Sequence, residues 1–220
     1  MIPSRGAVYT LRGYGNNGAF LILTNDVWNL SMASAGGVLV TRSGDLDPLA
    51  VPLNVIGALA NPSLVMALPH ERLESSAIYS LDPAELRAVE VSLAAVLRLG
   101  AASKTTPLPV GQVNYPVWGQ IYYGPKIAGQ VKRFVVVSND QHNRVTKRPC
   151  VVRLTSRQKT DSTSFPAVSG NKSRACCGDL TFLPQEDLHF RPFDSRPVPD
   201  HLQPFDMGRI ANGIRQTHCL

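Results

Sequence analysis

Gly18-Ala19-Phe20-Leu21-Ile22-Leu23-Thr24-Asn25-Asp26-Val27-Trp28-Asn29 has a counterpart further along the chain, Lys132-Arg133-Phe134-Val135-Val136-Val137-Ser138-Asn139-Asp140-Gln141-His142-Asn143. Each passes from an aromatic residue and three aliphatic ones, a strand-like run, to a hydroxyl-Asn-Asp triplet and closes on Asn. The match continues without a gap to Val38-Leu39-Val40-Thr41 against Val152-Arg153-Leu154-Thr155. Working outward, Pro3 to Tyr9 and Pro116 to Tyr123 each open with Pro, a short spacer, Gly and an aromatic-bearing strand. The two runs return to phase at Ala67-Leu68-Pro69-His70-Glu71-Arg72-Leu73 and Phe182-Leu183-Pro184-Gln185-Glu186-Asp187-Leu188. Blocks repeated in one order at nearly constant spacing imply duplication of a module of roughly 110 residues, an ordinary domain size. The expected division is a first module over 1–103, a linker over 104–114 and a second module over 115–220.

The chain has 220 residues, 44% hydrophobic and 17% charged, enough apolar matter to bury a core in two small domains. No apolar run reaches the roughly 18 to 20 residues of a bilayer span. Met1 to Thr10 lacks the basic and apolar regions of a secretory signal. Of the four cysteines, Cys150, Cys176, Cys177 and Cys219, two are adjacent and ill-suited to bond to each other. They read as reduced thiols, and the expectation is a cytoplasmic protein without a membrane partner. No metal or cofactor is expected: Cys176-Cys177 lacks a matching cysteine pair or histidine cluster, and no Gly-rich phosphate loop, dinucleotide fingerprint or Ser-His-Asp set is present.

Charge is shared unevenly. Residues 1–114 hold seven Lys+Arg against eight Asp+Glu, and residues 115–220 hold fifteen against eight. Between Lys126 and Arg174 eleven basic residues face only Asp140 and Asp161. A polyphosphate partner rewards such a concentration through counterion release; a solvated basic face that keeps the protein in solution is the plainer reading.

Val8 to Leu11 and Phe20 to Leu23 read as strands joined by a Gly- and Asn-rich turn, with Gly37 to Arg42 as a third. Val51 to Leu68 reads as strand plus loop. Leu81-Asp82-Pro83-Ala84-Glu85 is a helix start: Asp82 caps, Pro83 suits the first position and Glu85 reaches back. Leu86, Val89, Leu93, Val96 and Leu97 then share one face until Gly100. In the second module Trp118 to Tyr123, Phe134 to Val137, Cys150 to Leu154 and Ala175 to Leu183 read as strands. Thr155 to Gly170 reads as a polar loop with an Ala/Val interruption, and Pro199 to Arg215 as a closing helix weakened by Gly208 and Gly213. Each module is therefore a mainly β unit, four or five short antiparallel strands with a terminal helix.

The second module resembles a known family. Gly119-Gln120-Ile121-Tyr122-Tyr123, Lys132 to Asp140 with Asn143, Arg153-Leu154-Thr155-Ser156 and Cys177-Gly178-Asp179-Leu180 are similar to the MazF/PemK/Kid bacterial toxins, which share an SH3-like barrel with CcdB. The resemblance covers nearly all of 115–188 and, more faintly, 3–98. It implies two tandem SH3-like barrels, each with a C-terminal helix, packed as an intramolecular pseudo-dimer. It also implies a type II toxin–antitoxin protein acting as a metal-independent endoribonuclease, with RNA as substrate and an antitoxin protein as partner. By the same resemblance the catalytic set is Arg133 beside the reacting phosphate, Thr155 and Ser156 in the active groove, and Asp179 as acid or base. Lys132, Arg144, Arg153, Arg157, Lys159 and Arg174 would hold the RNA backbone. The chemistry suits these types: when a 2′-hydroxyl attacks its own phosphate, charge gathers on non-bridging oxygens and a proton moves each way.

The departures from the family are specific. Cys177 stands where Kid-type members carry arginine, with Arg174 the nearest substitute, and the loop expected over Gly124 to Val131 has neither His nor Glu. In the first module Ala19, Arg42 and about Leu64 stand at the positions of Arg133, Ser156 and Asp179, so that module is not expected to cut RNA. The alternative function is a non-catalytic module that binds nucleic acid or protein as a regulator; a CcdB-like toxin acting on a protein target is a third. Plain readings stand beside each residue: Arg133 as a salt-bridge former at a strand start, Thr155, Ser156 and Asp179 as turn residues, His142 as an exposed loop histidine, Trp28 and Trp118 as packing groups.

Overall fold

Tyr9, Leu11, Phe20 and Ile22 alternate with residues of the opposite face, and this period of two builds antiparallel strands around an apolar centre. The computed structural model describes residues 1–13, 18–42, 49–97, 99, 113–127, 129–156, 162–168, 173–189 and 202–220. The described chain is mainly β, two antiparallel sheets with few helices, and it divides into two units: Met1–Val96 with Thr217–Leu220, and Leu97–Gln216. Most of the 104–114 stretch read as a linker lies outside the described residues.

In the first unit β1 (Ala7–Leu11), β2 (Ala19–Ile22), β3 (Ser34–Thr41), β4 (Val51–Leu53), β5 (Ala58–Pro69) and β6 (Leu73–Ser80) form a sheet of order β4-β5-β3-β2-β1-β6. Its core joins Tyr9, Phe20, Ile22 and Leu73, with Leu39, Met66 and Leu68 packed against them. The β3–β5 register shifts between Val38 and Leu39, a bulge that bends the long β5. The short helix α1 (Asp26–Ser31) links β2 to β3, and α2 (Pro83–Val96) follows β6. The expected capping box is present. Ala84 and Glu85 N–H groups donate to Asp82 Oδ1 at 2.8 Å each, and Glu85 Oε2 accepts from the Asp82 N–H at 3.4 Å. Such a cap contributes about 1 kcal/mol.

In the second unit β7 (Ile121–Ile127), β8 (Gln130–Val136), β9 (Cys150–Thr155) and β10 (Arg174–Phe182) form a sheet of order β10-β9-β8-β7. This is the order β5-β3-β2-β1 of the first unit. Tyr122, Phe134, Val136, Val151 and Leu188 make the core. The helix α3 (Asp140–Thr146) links β8 to β9, and α4 (Pro204–His218) buries Met207, Ile210 and Ile214. Gly213, which weakens α4 by propensity, is what lets it approach the sheet: a Cβ there would lie 2.3 Å from the Thr163 carbonyl oxygen and 2.5 Å from Cys177 Sγ.

One polar frame recurs in both units at an offset of about 114 residues. Asn25 caps α1 by accepting from the Trp28 N–H at 2.8 Å, and Asn139 caps α3 by accepting from the His142 N–H at 2.7 Å. The buried Thr24 hydroxyl donates to Asn29 Oδ1, and the Ser138 hydroxyl donates to Asn143 Oδ1. Asn29 Nδ2 donates to the Pro3 carbonyl and Asn143 Nδ2 to the Pro116 carbonyl, both at 2.9 Å. The Gly36 and Cys150 N–H groups donate to the Thr24 and Ser138 hydroxyls at 2.9 and 2.8 Å. Gly6 and Gly119, at φ 78° and 84°, turn each chain into its first strand and donate to the Ile22 and Val136 carbonyls.

Several expectations need correction. Helices α1 and α3 and the edge strand β6 are additional to the elements read from the sequence. The first unit has six strands, more than the four or five expected. Gly124 to Val131 is not a loop: β7 and β8 run through most of it as a hairpin, with Lys126 opposite Val131. The strand expected from Trp118 begins at Ile121, because Gly119 and the turn bond from Gln120 N–H to the Val117 carbonyl interrupt it. His142 is buried, not exposed. Its ring lies 5.2 Å from that of Phe182 and its Nε2 is 3.2 Å from the Arg148 carbonyl oxygen, so it is a packing residue. Within the expected polar loop, Phe165 and Val168 are buried and Ala167 bridges to Arg174. The closing helix starts at Pro204, and 199–201 lie outside the described residues.

Candidate nucleic-acid interface

The last residues of β9 and the first half of β8 lie side by side, since Arg133 pairs with Leu154 and Phe134 with Arg153. This register brings a lysine and two arginines to the strand ends that hold Thr155 and Ser156. A cleft of about 410 Å³ opens there, lined by Tyr123, Gln130, Lys132, Arg133, Arg153, Thr155, Ser156 and Ser173 among others. Arg133 is half-buried and donates from Nη2 to the Ser173 hydroxyl at 2.5 Å. Lys132 donates from Nζ to Gln130 Oε1 at 2.8 Å. Two hydroxyls at the end of β9, the buried Ser173 hydroxyl and the strand ends that carry Lys132, Arg133 and Arg153 line this concavity, groups suited to a polyoxygen anion.

Arg153 points to the other face of the sheet from its neighbour Leu154, toward the rim of the core that Phe134 occupies. Its Nε donates to Asp179 Oδ2 at 2.8 Å, its Nη2 donates to the same oxygen, and Nη2 lies 3.9 Å from Cys176 Sγ. Burial works against the Arg153 charge, but Asp179 and then Cys176 outweigh it and hold the pKa above the ordinary value. Burial likewise pushes the Cys176 thiol up to about 12, with Asp179 adding to the effect.

The sequence-derived residues therefore divide. Lys132, Arg133, Arg153, Thr155 and Ser156 line the cleft, and Asp179 is joined to it through Arg153. Arg174 pairs with Thr155 at the start of β10. Arg144 is exposed on α3, which connects the far ends of β8 and β9, and so stands apart from the cleft. Arg157 and Lys159 lie outside the described residues. Sequence reasoning missed Ser173, 40 positions from Arg133 and brought to it by the pairing of β9 with β10. Tyr123 was visible only as one of a tyrosine pair on a strand.

A matching cleft of about 300 Å³ exists in the first unit, lined by Thr10, Ala19, Val40, Arg42, Ala58 and Ile78 among others. Ala19, Val40 and Arg42 occupy the places of Arg133, Leu154 and Ser156. The sheet registers agree with the sequence alignment further out: Val38 faces Val65 as Val152 faces Leu180, so Leu64 stands at the position of Asp179.

No protein-family model and no curated protein matches the chain. Among solved structures it is similar to an endoribonuclease from a mycobacterial species at 22% identity and a TM-score of 0.37, over 43% of this chain and 89% of that one. An endoribonuclease in complex with its cognate antitoxin, also from a mycobacterial species, is similar at 23% identity and a TM-score of 0.37, over 42% and 91%. The Mycobacterium tuberculosis toxin MazF-mt6 is similar at 14% identity and a TM-score of 0.36, over 40% and 92%.

Proposed function

We propose that the second unit binds RNA in its cationic cleft and cleaves it without a metal, as a toxin-class endoribonuclease. The observation that carries the reading is the convergence of Lys132, Arg133, Thr155, Ser156 and Ser173 on one concavity, where the first unit presents alanine in place of Arg133. In the reaction the 2′-oxygen of a ribose bonds to the adjacent phosphorus as its proton leaves. The bond to the 5′-oxygen breaks, that oxygen takes up a proton, and a 2′,3′-cyclic phosphate remains. Arg133 stabilises the charge gathering on the non-bridging oxygens, and Thr155 and Ser156 hold the phosphate in place. Under the same proposal the chain is a tandem duplication of one SH3-like module over 1–103 and 115–220, the first copy having lost the chemistry, and its protein partner is an antitoxin.

A second reading is favoured by one feature: among the described residues lining the cleft there is no His, Asp or Glu to move a proton. On that reading the cleft holds RNA as a regulator without cutting it. Incubation of the purified chain with a long single-stranded RNA in EDTA separates the two. Discrete fragments ending in cyclic phosphate, absent when the RNA is 2′-deoxy, support the nuclease; a mobility shift of intact RNA supports the binder. Unshifted, uncut RNA removes both.

A further inference from the structure

We infer that Asp179 is a positioning residue that acts through Arg153, and that the Arg153 guanidinium is a second phosphate-binding arm of the cleft. The inference rests on the proposed RNA-binding role of that cleft. Arg153 lines the cleft, and Asp179 is joined to it by donation from both Nε and Nη2 to its Oδ2. Nη1 has no acceptor among the described residues, so one edge of the guanidinium is anchored and one nitrogen is left for a ligand oxygen.

The first unit supplies an internal control. Leu39 stands at the position of Arg153 and packs against Tyr9 and Phe20 in the core, and Leu64 stands at the position of Asp179. A sheet of this order therefore forms with apolar residues at both places. Taking an ion pair out of water is costly, and apolar replacements of similar size are often neutral or stabilising. The pair in the second unit is thus not required by the fold. What it adds is a charged group fixed at the cleft wall, held charged by the adjacent carboxylate.

The experiment uses the full chain and a non-cleavable 2′-O-methyl RNA oligonucleotide, with affinity measured across a salt series. Arg153→Ala is expected to weaken binding about tenfold, the worth of one charge-assisted contact, and to lower the salt slope by about 0.7, the value of one single-strand phosphate. Asp179→Asn is expected to do the same, and the double variant to be no worse than either. The sign is diagnostic, because removing a negative charge beside a polyanion would by itself tighten binding. Arg153→Leu with Asp179→Leu should unfold at the wild-type temperature while binding weakly, which separates lost contact from lost fold. Wild-type or tighter binding by Asp179→Asn, with or without loss of cleavage, overturns the inference alone. If the unsubstituted chain does not bind the oligonucleotide, the functional reading fails and the inference falls with it.

Discussion

Each unit uses the same hydrogen-bonded frame to hold a cleft, and the two clefts differ in what lines them. In both, a hydroxyl-Asn-Asp triplet follows a strand (β2 or β8), its Asn caps a one- to two-turn helix, its hydroxyl bonds a buried Asn, and that buried Asn donates to the carbonyl of a preceding proline. On that frame the second unit's cleft is lined by Lys132, Arg133 and Arg153; in the first unit Ala19 and Leu39 stand at the positions of Arg133 and Arg153, and Arg42 is the one arginine among the described residues lining its cleft. The frame and the cleft are separable: the groups that satisfy buried backbone polarity are the same in each unit, while those that meet a ligand have diverged. Burying an unsatisfied polar group costs about 1–3 kcal/mol wherever it occurs, so the frame is constrained in both units regardless of what each binds.

The largest effect expected of this contrast is on RNA. Arg133→Ala should lower cleavage by about 10²–10³-fold, the worth of a donor aimed at developing charge, while Arg42→Ala leaves it unchanged. Single-turnover cleavage of a labelled RNA checks both, and equal effects would erase the distinction between the clefts. Arg133→Ala removes the side-chain bond to Ser173 among its contacts and should cost about 1–2 kcal/mol of stability, leaving the chain folded.

Next in size is the frame itself. Asn29→Ala and Asn143→Ala each strip a buried side chain that joins a hydroxyl, a strand end and a proline carbonyl. Each should destabilise its unit by about 3 kcal/mol, read by urea unfolding, and the two losses should agree within about 1 kcal/mol. A neutral outcome for one of them would break the equivalence.

The smallest expected effect distinguishes the units by pH. The second holds three buried thiols, Cys150, Cys176 and Cys177, all pushed up by burial, while Cys219 is exposed. A raised pKa in the folded state means that the stabilisation is complete below the ordinary thiol value of 9.0 and is lost as pH rises above it, because only the unfolded chain ionises there. Between pH 9 and 10 the second unit should therefore lose stability, and Cys176→Ala/Cys177→Ala should flatten that slope. Hydrogen exchange of core amides in the two units over this range is the measurement. A parallel loss in both units would assign it to something other than the thiols.

What could be read beforehand follows the range of the forces involved. The Asp82 capping box is settled within four residues, and both its direction and its side-chain bonds were legible. The hydroxyl-Asn-Asp triplets were visible as a repeat, yet α1 and α3 were not, because six or seven residues are too few for a helical period. Strand β6 escaped notice because Glu74, Ser75, Ser76 and Ala77 are exposed on an edge, which demands no apolar alternation. Lys132, Arg133, Thr155 and Ser156 could be named from short motifs. Ser173 could not, since nothing local ties it to Arg133.

The sequence by itself determined the repeat that carries the frame, because the helix caps and the hydroxyl–Asn bonds join side chains only a few residues apart. Tertiary structure alone decided that Arg153 meets Asp179, that His142 is enclosed against Phe182, and that the hydroxyl of Ser173 reaches the cleft. Those meetings depend on strand register and on the irregularity between Ala175 and Leu180 in β10. A one-residue slip there would turn each side chain to the other face, so it is the packing of the whole sheet that fixes them.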